Sequence, residues 1–254
     1  MIKFGLIGDP ISHSASPVLF AKAYGGRWQY DLIEGADFEA SWQRFLNEYQ
    51  AINITMPFKE AAFRKVAECG VLGGGESAGT SAEIIRSLGA INIAVKEADG
   101  KIHGYNSDYL GVLKVLRDRG FGLGQTAVVT GFGGAGRAAA AAARVAGMDV
   151  VVCNRTRYTT DMRPLSELPV LATVADLLIY TLAFTIPELE ALPDNNGLPE
   201  GGTDGATGGI SILEANYRTP CLEGRPGYIS GRLWHRAQAL TGYPLMTGCP
   251  VTGL

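Results

Sequence analysis

Gly131, Gly133 and Gly136 stand at G-x-G-x-x-G spacing, with Gly134 as an extra glycine among them. Glycine lets a chain turn tightly and lets its backbone approach a ligand closely. A helix that starts at such a turn offers unpaired N–H groups and the positive end of its dipole to an anion such as a pyrophosphate. The flanks supply the context. Ala127–Thr130 is short, apolar and β-branched and reads as a buried strand. Arg137–Ala146 is alanine-rich and reads as a helix stopped by Gly147, and Met148–Cys153 reads as a second buried strand. Strand, glycine turn, helix and strand within about 30 residues form the unit that binds dinucleotides. The competing reading is a glycine turn used only for close helix–strand packing.

The end of the second strand normally selects the cofactor. A carboxylate about 20 residues past the glycines accepts from the ribose 2′-hydroxyl of NAD. Here the strand ends in Asn154-Arg155-Thr156, followed by Arg157, and carries no carboxylate. A guanidinium clamps a 2′-phosphate through paired N–H bonds. NADP(H) is therefore expected over NAD(H), against the plainer reading of Arg155 as a solvated surface arginine.

Further polar groups cluster in the first half. Ser12, Ser14 and Ser16 precede Pro17, so Ser16 reads as an N-cap and Val18–Tyr24 as its helix. Capping accounts for Ser16 but not for Ser14. In Asn53-Ile54-Thr55-Met56-Pro57-Phe58-Lys59, Pro57 is expected to open a helix with Phe58, Ala62, Phe63 and Val66 on one face. Lys59 in the first turn opposes the helix dipole. Either it has a function or it is simply solvated. Asp108, before Tyr109–Arg119, reads on its own as a helix cap.

These residues need a frame. Lys3–Gly8, Trp28–Ile33 and Ala51–Ile54 read as strands, Phe38–Tyr49 and Ser81–Leu88 as helices. Ala90–Val95 and Ile102–Tyr105 read as a hairpin across Asp99-Gly100. Gly70–Gly79 and Asp194–Gly209 read as loops, Ala175–Tyr180 and Gly209–Leu213 as further strands, and Gly231–Thr241 as a last helix. The expected architecture is α/β with two domains: a substrate domain over residues 1–107, a Rossmann-type nucleotide domain over 108–230, and a C-terminal helix over 231–254 returning to the first.

Composition narrows the classes. The chain has 254 residues, 46% of them hydrophobic, and a net charge of −3. A pI near 5.7 gives no basic footprint for nucleic acid. No apolar run suits a membrane span. The opening MIKFGLIGDP reads directly as a strand, so no signal peptide is expected. Cys69, Cys153, Cys221 and Cys249 lack metal-ligand spacing, so no metal site is expected. A cytoplasmic protein with reduced thiols, monomeric or homodimeric, is the simplest expectation.

With these motifs in order, the chain resembles the shikimate dehydrogenase family over nearly its whole length. Gly8-Asp9-Pro10-Ile11 with Ser14-Ala15-Ser16-Pro17 is similar to the family's opening loop, which implies Ser14 and Ser16 on the substrate carboxylate. Asn53–Lys59 resembles N-V-T-x-P-x-K, implying Thr55 as a substrate contact and Lys59 as the catalytic lysine. Gly89-Ala90-Ile91-Asn92 resembles G-A-V-N, implying Asn92 on the substrate hydroxyls. Asn106-Ser107-Asp108 resembles N-T-D, implying Asp108 as the lysine's partner. Gly131–Ala135 resembles G-A-G-G-A with Phe132 for alanine. This implies Gly131, Gly133, Gly134 and Ala135 on the cofactor, with Asn154, Arg155 and Thr156 selecting NADP. Gln238, on a helix like the family's closing one, is implied as a further substrate contact. Glu214-Ala215-Asn216-Tyr217 keeps the acidic-x-x-Tyr spacing, implying Tyr217 at the site, and Gly231 is implied on the cofactor.

The resemblance implies two α/β domains flanking a cleft and NADP-dependent, reversible reduction of 3-dehydroshikimate to shikimate, in the chorismate pathway of aromatic amino acid biosynthesis. The chain departs from the family at Phe20-Ala21, where His-Asn is usual, at Tyr109, where glycine is usual, and at Tyr180-Thr181-Leu182-Ala183, in place of N-A-T-P. The alternatives are a quinate/shikimate dehydrogenase-like enzyme for another small hydroxy-acid and a non-catalytic ligand-binding paralogue. Methylenetetrahydrofolate dehydrogenase shares the architecture, but its pattern is not found.

Overall fold

The structure, a computed structural model, describes residues 2–73, 81–98, 100–193 and 209–254. Residues 74–79 of the first expected loop, Asp99 of the hairpin turn and residues 194–208 of the second loop lie outside the described residues. The chain forms two compact units, Met1–Leu110 with Gln238–Leu254, and Gly111–Ala237.

In the first unit the chain runs β1 (Lys3–Gly8), α1 (Ser16–Tyr24), β2 (Gln29–Glu34), α2 (Phe38–Glu48), β3 (Ala51–Ile54), α3 (Lys59–Cys69), β4 (Val71–Leu72), α4 (Ala82–Leu88), β5 (Ile93–Lys96) and β6 (Ile102–Tyr105), then enters α5 (Ser107–Asp118). The sheet order is β2-β1-β3-β5-β6-β4. β1 pairs in parallel with β2 and β3, while β5 runs antiparallel to both β3 and β6. Alternation along the strands builds a core on each face. Phe4 and Leu6 join Phe20, Tyr24, Tyr30 and Tyr243 on one side. Ile7 and Ile52 join Trp42, Phe45 and Tyr49 on the other. Phe20, at the position where the family carries histidine, is fully buried. Its ring centroid lies 5.2 Å from Phe4, 4.8 Å from Tyr30 and 5.0 Å from Tyr243.

In the second unit the order is β7 (Thr126–Thr130), α6 (Gly134–Val145), β8 (Asp149–Cys153), α7 (Leu168–Ala172), β9 (Leu177–Tyr180), β10 (Ser211–Glu214) and β11 (Tyr228–Ile229), followed by α8 (Gly231–Thr247). All pairings are parallel in the order β11-β10-β9-β7-β8. Parallel strands covered on both faces read as continuous apolar runs, and β9 is buried throughout. The order reverses between β7 and β9, which sets a topological switch point at their carboxyl ends. The small side chains of α6, among them Ala138, Ala139, Ala142 and Ala143, are buried and permit a close approach to the sheet.

Several local expectations fail for identifiable reasons. Ser16 does not cap α1; it is the first helical residue, and Ala15 precedes it without a side-chain cap. Pro57 does not open α3. Residues Thr55–Phe58 form a turn, with Phe58 N–H donating to Thr55 O at 2.9 Å, and the helix begins at Lys59. Asp108 is not the cap of α5. Asn106 is, its Oδ1 accepting from Tyr109 N–H at 3.0 Å. α8 does not stop at Thr241 but runs through Pro244 to Thr247, where Tyr243 and Met246 are buried.

Among the described residues no helix is long and apolar enough to cross a membrane, and no cluster of metal-ligating side chains occurs. The four cysteines are unpaired by disulfides.

Tyr49 gives the first unit a pH signature. Its phenol donates to Asp31 Oδ2 at 3.0 Å, and burial, reinforced by Asp31, pushes its pKa up to about 12. The fold favours the neutral phenol, so this contribution is fully present below about pH 10 and is lost as pH rises from there through about 12. Urea unfolding should show stability falling between about pH 10 and about pH 12, and Tyr49→Phe should remove about 1 kcal/mol of that fall. Equal pH slopes in the two proteins would contradict the assignment.

Candidate active site

Two serines, an ion pair and two buried amides occupy the first unit. The opening loop is held by Ser14 N–H, which donates to Ile11 O at 2.8 Å. Ser14 Oγ donates to Ser16 Oγ at 3.0 Å, and Ser16 N–H donates to Ser14 Oγ at 3.3 Å. Both side chains are half-buried. Tyr30 of β2 donates its hydroxyl to Asn53 Oδ1 at 2.7 Å and is in hydrogen-bond contact with Ser16. Burial raises the Tyr30 pKa well above its ordinary value, so the phenol is neutral across the physiological range.

Lys59 leaves the turn after β3 as the first residue of α3. Its Nζ donates to Asp108 Oδ2 at 2.5 Å, with side-chain exposures of 25% for the lysine and 12% for the aspartate. Asp108 lies in the first turn of α5, where the helix dipole favours a carboxylate. Its other oxygen, Oδ1, accepts from Gln238 Nε2 at 2.9 Å. Thr55 is half-buried four residues ahead of Lys59.

Two asparagines lock this corner. Asn92 is buried; its Oδ1 accepts from Ser107 N–H at 2.7 Å and its Nδ2 donates to Ser107 Oγ at 3.0 Å. Asn106 donates to Ala90 O at 2.9 Å while capping α5. Together they tie the segment before β5 to the start of the helix that carries Asp108. Tyr30 is a supporting residue that sequence reasoning passed over, and Asn106 and Ser107 are ones it quoted only as neighbours of Asp108. The only signal was a polar tip on a half-buried strand for Tyr30, and a run of three cap-forming residues for the other two.

In the second unit the glycines divide by task. Gly131 has φ +87°, and a Cβ there would meet Thr181 Oγ1 at 2.8 Å and Leu182 Cδ2 at 2.9 Å. A Cβ on Gly136 would strike Gly131 O. Gly133 and Gly134 face open space at the start of α6, with nothing within 4 Å of an added Cβ. The turn thus serves both readings: two glycines permit packing, and two leave the helix N-terminus accessible. Ala135 is half-buried beside them. Thr181 ties the departing segment to the turn, with its Oγ1 donating to Thr130 O at 2.5 Å.

At the end of β8, Asn154 Nδ2 donates to Thr156 O at 2.7 Å. Arg155 and Thr156 are exposed. Arg157 spends a guanidinium N–H on Thr160 O at 3.0 Å. Tyr217 stacks on His235, with ring centroids 4.7 Å apart and planes 27° apart. Its loop is fixed by Glu214, which is wholly buried and accepts from Cys221 N–H at 2.6 Å and Leu222 N–H at 3.1 Å. Gly231 packs on this same strand end, since a Cβ there would strike Glu214 O and Ala215 O.

Residues 6–70 match the family model of the shikimate dehydrogenase substrate binding domain. A solved structure of shikimate 5-dehydrogenase from Thermus thermophilus in complex with NADP(H) and shikimate superposes with a TM-score of 0.75 at 26% identity, covering 100% of this chain and 96% of that one. Residues 6–70 thus match that family's substrate binding domain, and the whole chain shares the fold of that neighbour. Among the family's curated members, shikimate dehydrogenase (NADP(+)) of Thermus thermophilus is 34% identical over 170 residues, 61% of this chain. That of Halobacterium salinarum is 36% identical over 165 residues, 62% of this chain. The aligned sequence spans little more than half the length of these relatives, 56% and 57%.

The division of the glycines is testable by stability alone. Gly136→Ala should lower the unfolding free energy by about 1–3 kcal/mol, because the turn must shift to admit the methyl group. Gly134→Ala should stay within about 0.5 kcal/mol of the parent. Thermal melts of the two variants check this, and equal losses would contradict the division.

Proposed function

We propose that this chain is an NADP-dependent shikimate dehydrogenase, catalysing the reversible reduction of 3-dehydroshikimate to shikimate. The observation that carries the reading is the Lys59–Asp108–Gln238 chain, a positioned proton donor held by a carboxylate whose second oxygen is also occupied.

The residues divide the work. Lys59 Nζ, half-exposed and restrained by Asp108, donates a proton to the ring oxygen as the ketone is reduced and takes it back in the reverse direction. Asp108 keeps the ammonium in place, and Gln238 keeps Asp108 from rotating away. The paired hydroxyls of Ser14 and Ser16 are suited to a carboxylate, and the Tyr30 hydroxyl contacts Ser16. Asn92 has one amide N–H beyond its bond to Ser107 for a substrate hydroxyl, and Thr55 adds a hydroxyl. Such contacts orient the substrate and lower the barrier by several kcal/mol, on the order of what fixed geometry contributes.

The cofactor, when bound, supplies or accepts the hydride. The exposed backbone at Gly133 and Gly134 would hold its pyrophosphate, with Ala135 continuing the helix start. Arg155 is the guanidinium suited to the 2′-phosphate, since Arg157 is already engaged by its own turn. Asn154 and Thr156 brace one another on either side of Arg155, while Tyr217 and Gly231 shape the end of β10.

A second reading, a paralogue that binds the ligand without turnover, draws on the Tyr180–Ala183 segment. Leu182 there packs against the position of Gly131 where the family carries a different sequence. The two readings separate on one variant. Lys59→Ala should lower kcat by roughly 100-fold or more while leaving the dissociation constant for NADP, measured by calorimetry, unchanged. Turnover near the parent's in this variant would remove Lys59 from the mechanism, and a parent protein that binds shikimate but never turns it over would favour the paralogue.

A further inference from the structure

Phe132 stands inside the glycine turn, between the glycine that packs and the two that face open space. Its ring is half-buried, with its centroid 6.2 Å from that of Tyr158 and the planes 32° apart. Tyr158 follows Arg155 and Arg157 on the loop after β8 and is 67% exposed. The contact therefore joins the loops that leave the carboxyl ends of two neighbouring strands, β7 and β8. Ligands of open α/β sheets bind outside those carboxyl ends.

The arrangement has a particular chemistry. The tyrosine ring lies in a tilted contact with phenylalanine, and as a whole it is left largely to water. Beside it in sequence are guanidinium groups, and beside its phenylalanine support is the open start of α6. A flat π surface flanked by anion-binding groups matches an adenine nucleotide, whose base is planar and whose phosphates are anionic. At 6.2 Å the two rings are partners in a tilted aromatic contact and leave no gap for a base between them. The available surface is the exposed part of the Tyr158 ring. We propose that Tyr158, backed by Phe132, is the stacking platform for the adenine ring of the dinucleotide. This rests on the assignment of NADP to the second unit made above. Phe132 acts as a positioning residue through its ring contact with Tyr158.

Calorimetric titration of the full chain with NADP and, separately, with adenosine 2′,5′-bisphosphate tests the platform. The second probe keeps the base and the 2′-phosphate and lacks the nicotinamide half. Tyr158→Ala should raise both dissociation constants by the same factor, about 5- to 100-fold, the range of base–aromatic stacking. Tyr158→Phe should stay within about twofold, since stacking needs the ring and not the hydroxyl. The ring is exposed, so the melting temperature of Tyr158→Ala should match the parent. Unchanged constants in Tyr158→Ala, in a protein whose parent binds both probes, would overturn the platform and leave the NADP assignment standing. A loss confined to NADP would overturn it too, placing the effect on the nicotinamide half. Equal losses in Tyr158→Phe and Tyr158→Ala would replace the stack by a hydroxyl contact. A parent that binds neither probe would overturn the NADP assignment and the platform with it.

Discussion

The ion pair between Lys59 and Asp108 reconciles two helix starts. A lysine in the first turn of α3 faces the positive end of that helix, an unfavourable place for a cation. A carboxylate in the first turn of α5 has the dipole in its favour. Placing Nζ 2.5 Å from Oδ2 sets the charge of one against the other. Much of the surrounding structure keeps the pair in register. β3 delivers Lys59, and Asn92 and Asn106 hold the start of α5. α8 brings Gln238 to the remaining carboxylate oxygen, anchored in the first unit by Tyr243 against Phe20. Exposures of 25% and 12% leave the lysine within reach of a small substrate while keeping the aspartate largely dry.

The second unit depends on a different constraint, the space that glycine leaves empty. Gly131 and Gly136 are required by close contacts within the turn, whereas a Cβ on Gly133 or Gly134 would meet nothing within 4 Å. A turn needed only for packing would have no use for the second pair. The switch point between β7 and β9 lies at this same turn, where Thr181 and Leu182 close against Gly131. The segment that departs from the family's pattern is thus built into the turn by Thr181, whose hydroxyl bonds Thr130 O.

Long periodic elements and the glycine turn were legible in the sequence; the helix starts were less so. Asn106, Ser107 and Asp108 are all cap-forming residues, and local chemistry cannot choose among them. The choice is made by Asn92, 15 residues away, whose side chain takes the backbone N–H of Ser107. Proline rules misplaced two boundaries. Pro57 falls in a turn before α3, and Pro244 lies within α8, where burial of Tyr243 and Met246 outweighs the lost N–H. The motifs holding Lys59 and Asp108 are 49 residues apart, and their contact was legible only through resemblance. Tyr30 was invisible as a support because its partners, Ser16 and Asn53, lie on other elements.

The most direct measurement is the appearance of reduced nicotinamide when the purified protein meets shikimate or quinate, each with NADP or NAD. The account predicts turnover with shikimate and NADP, and little with the other combinations. Turnover with quinate or with NAD at a comparable rate would keep the proton-transfer role of Lys59 and overturn the assigned substrate or the role given to Arg155. No turnover in any combination, from a protein that binds shikimate and NADP, would contradict the catalytic account itself.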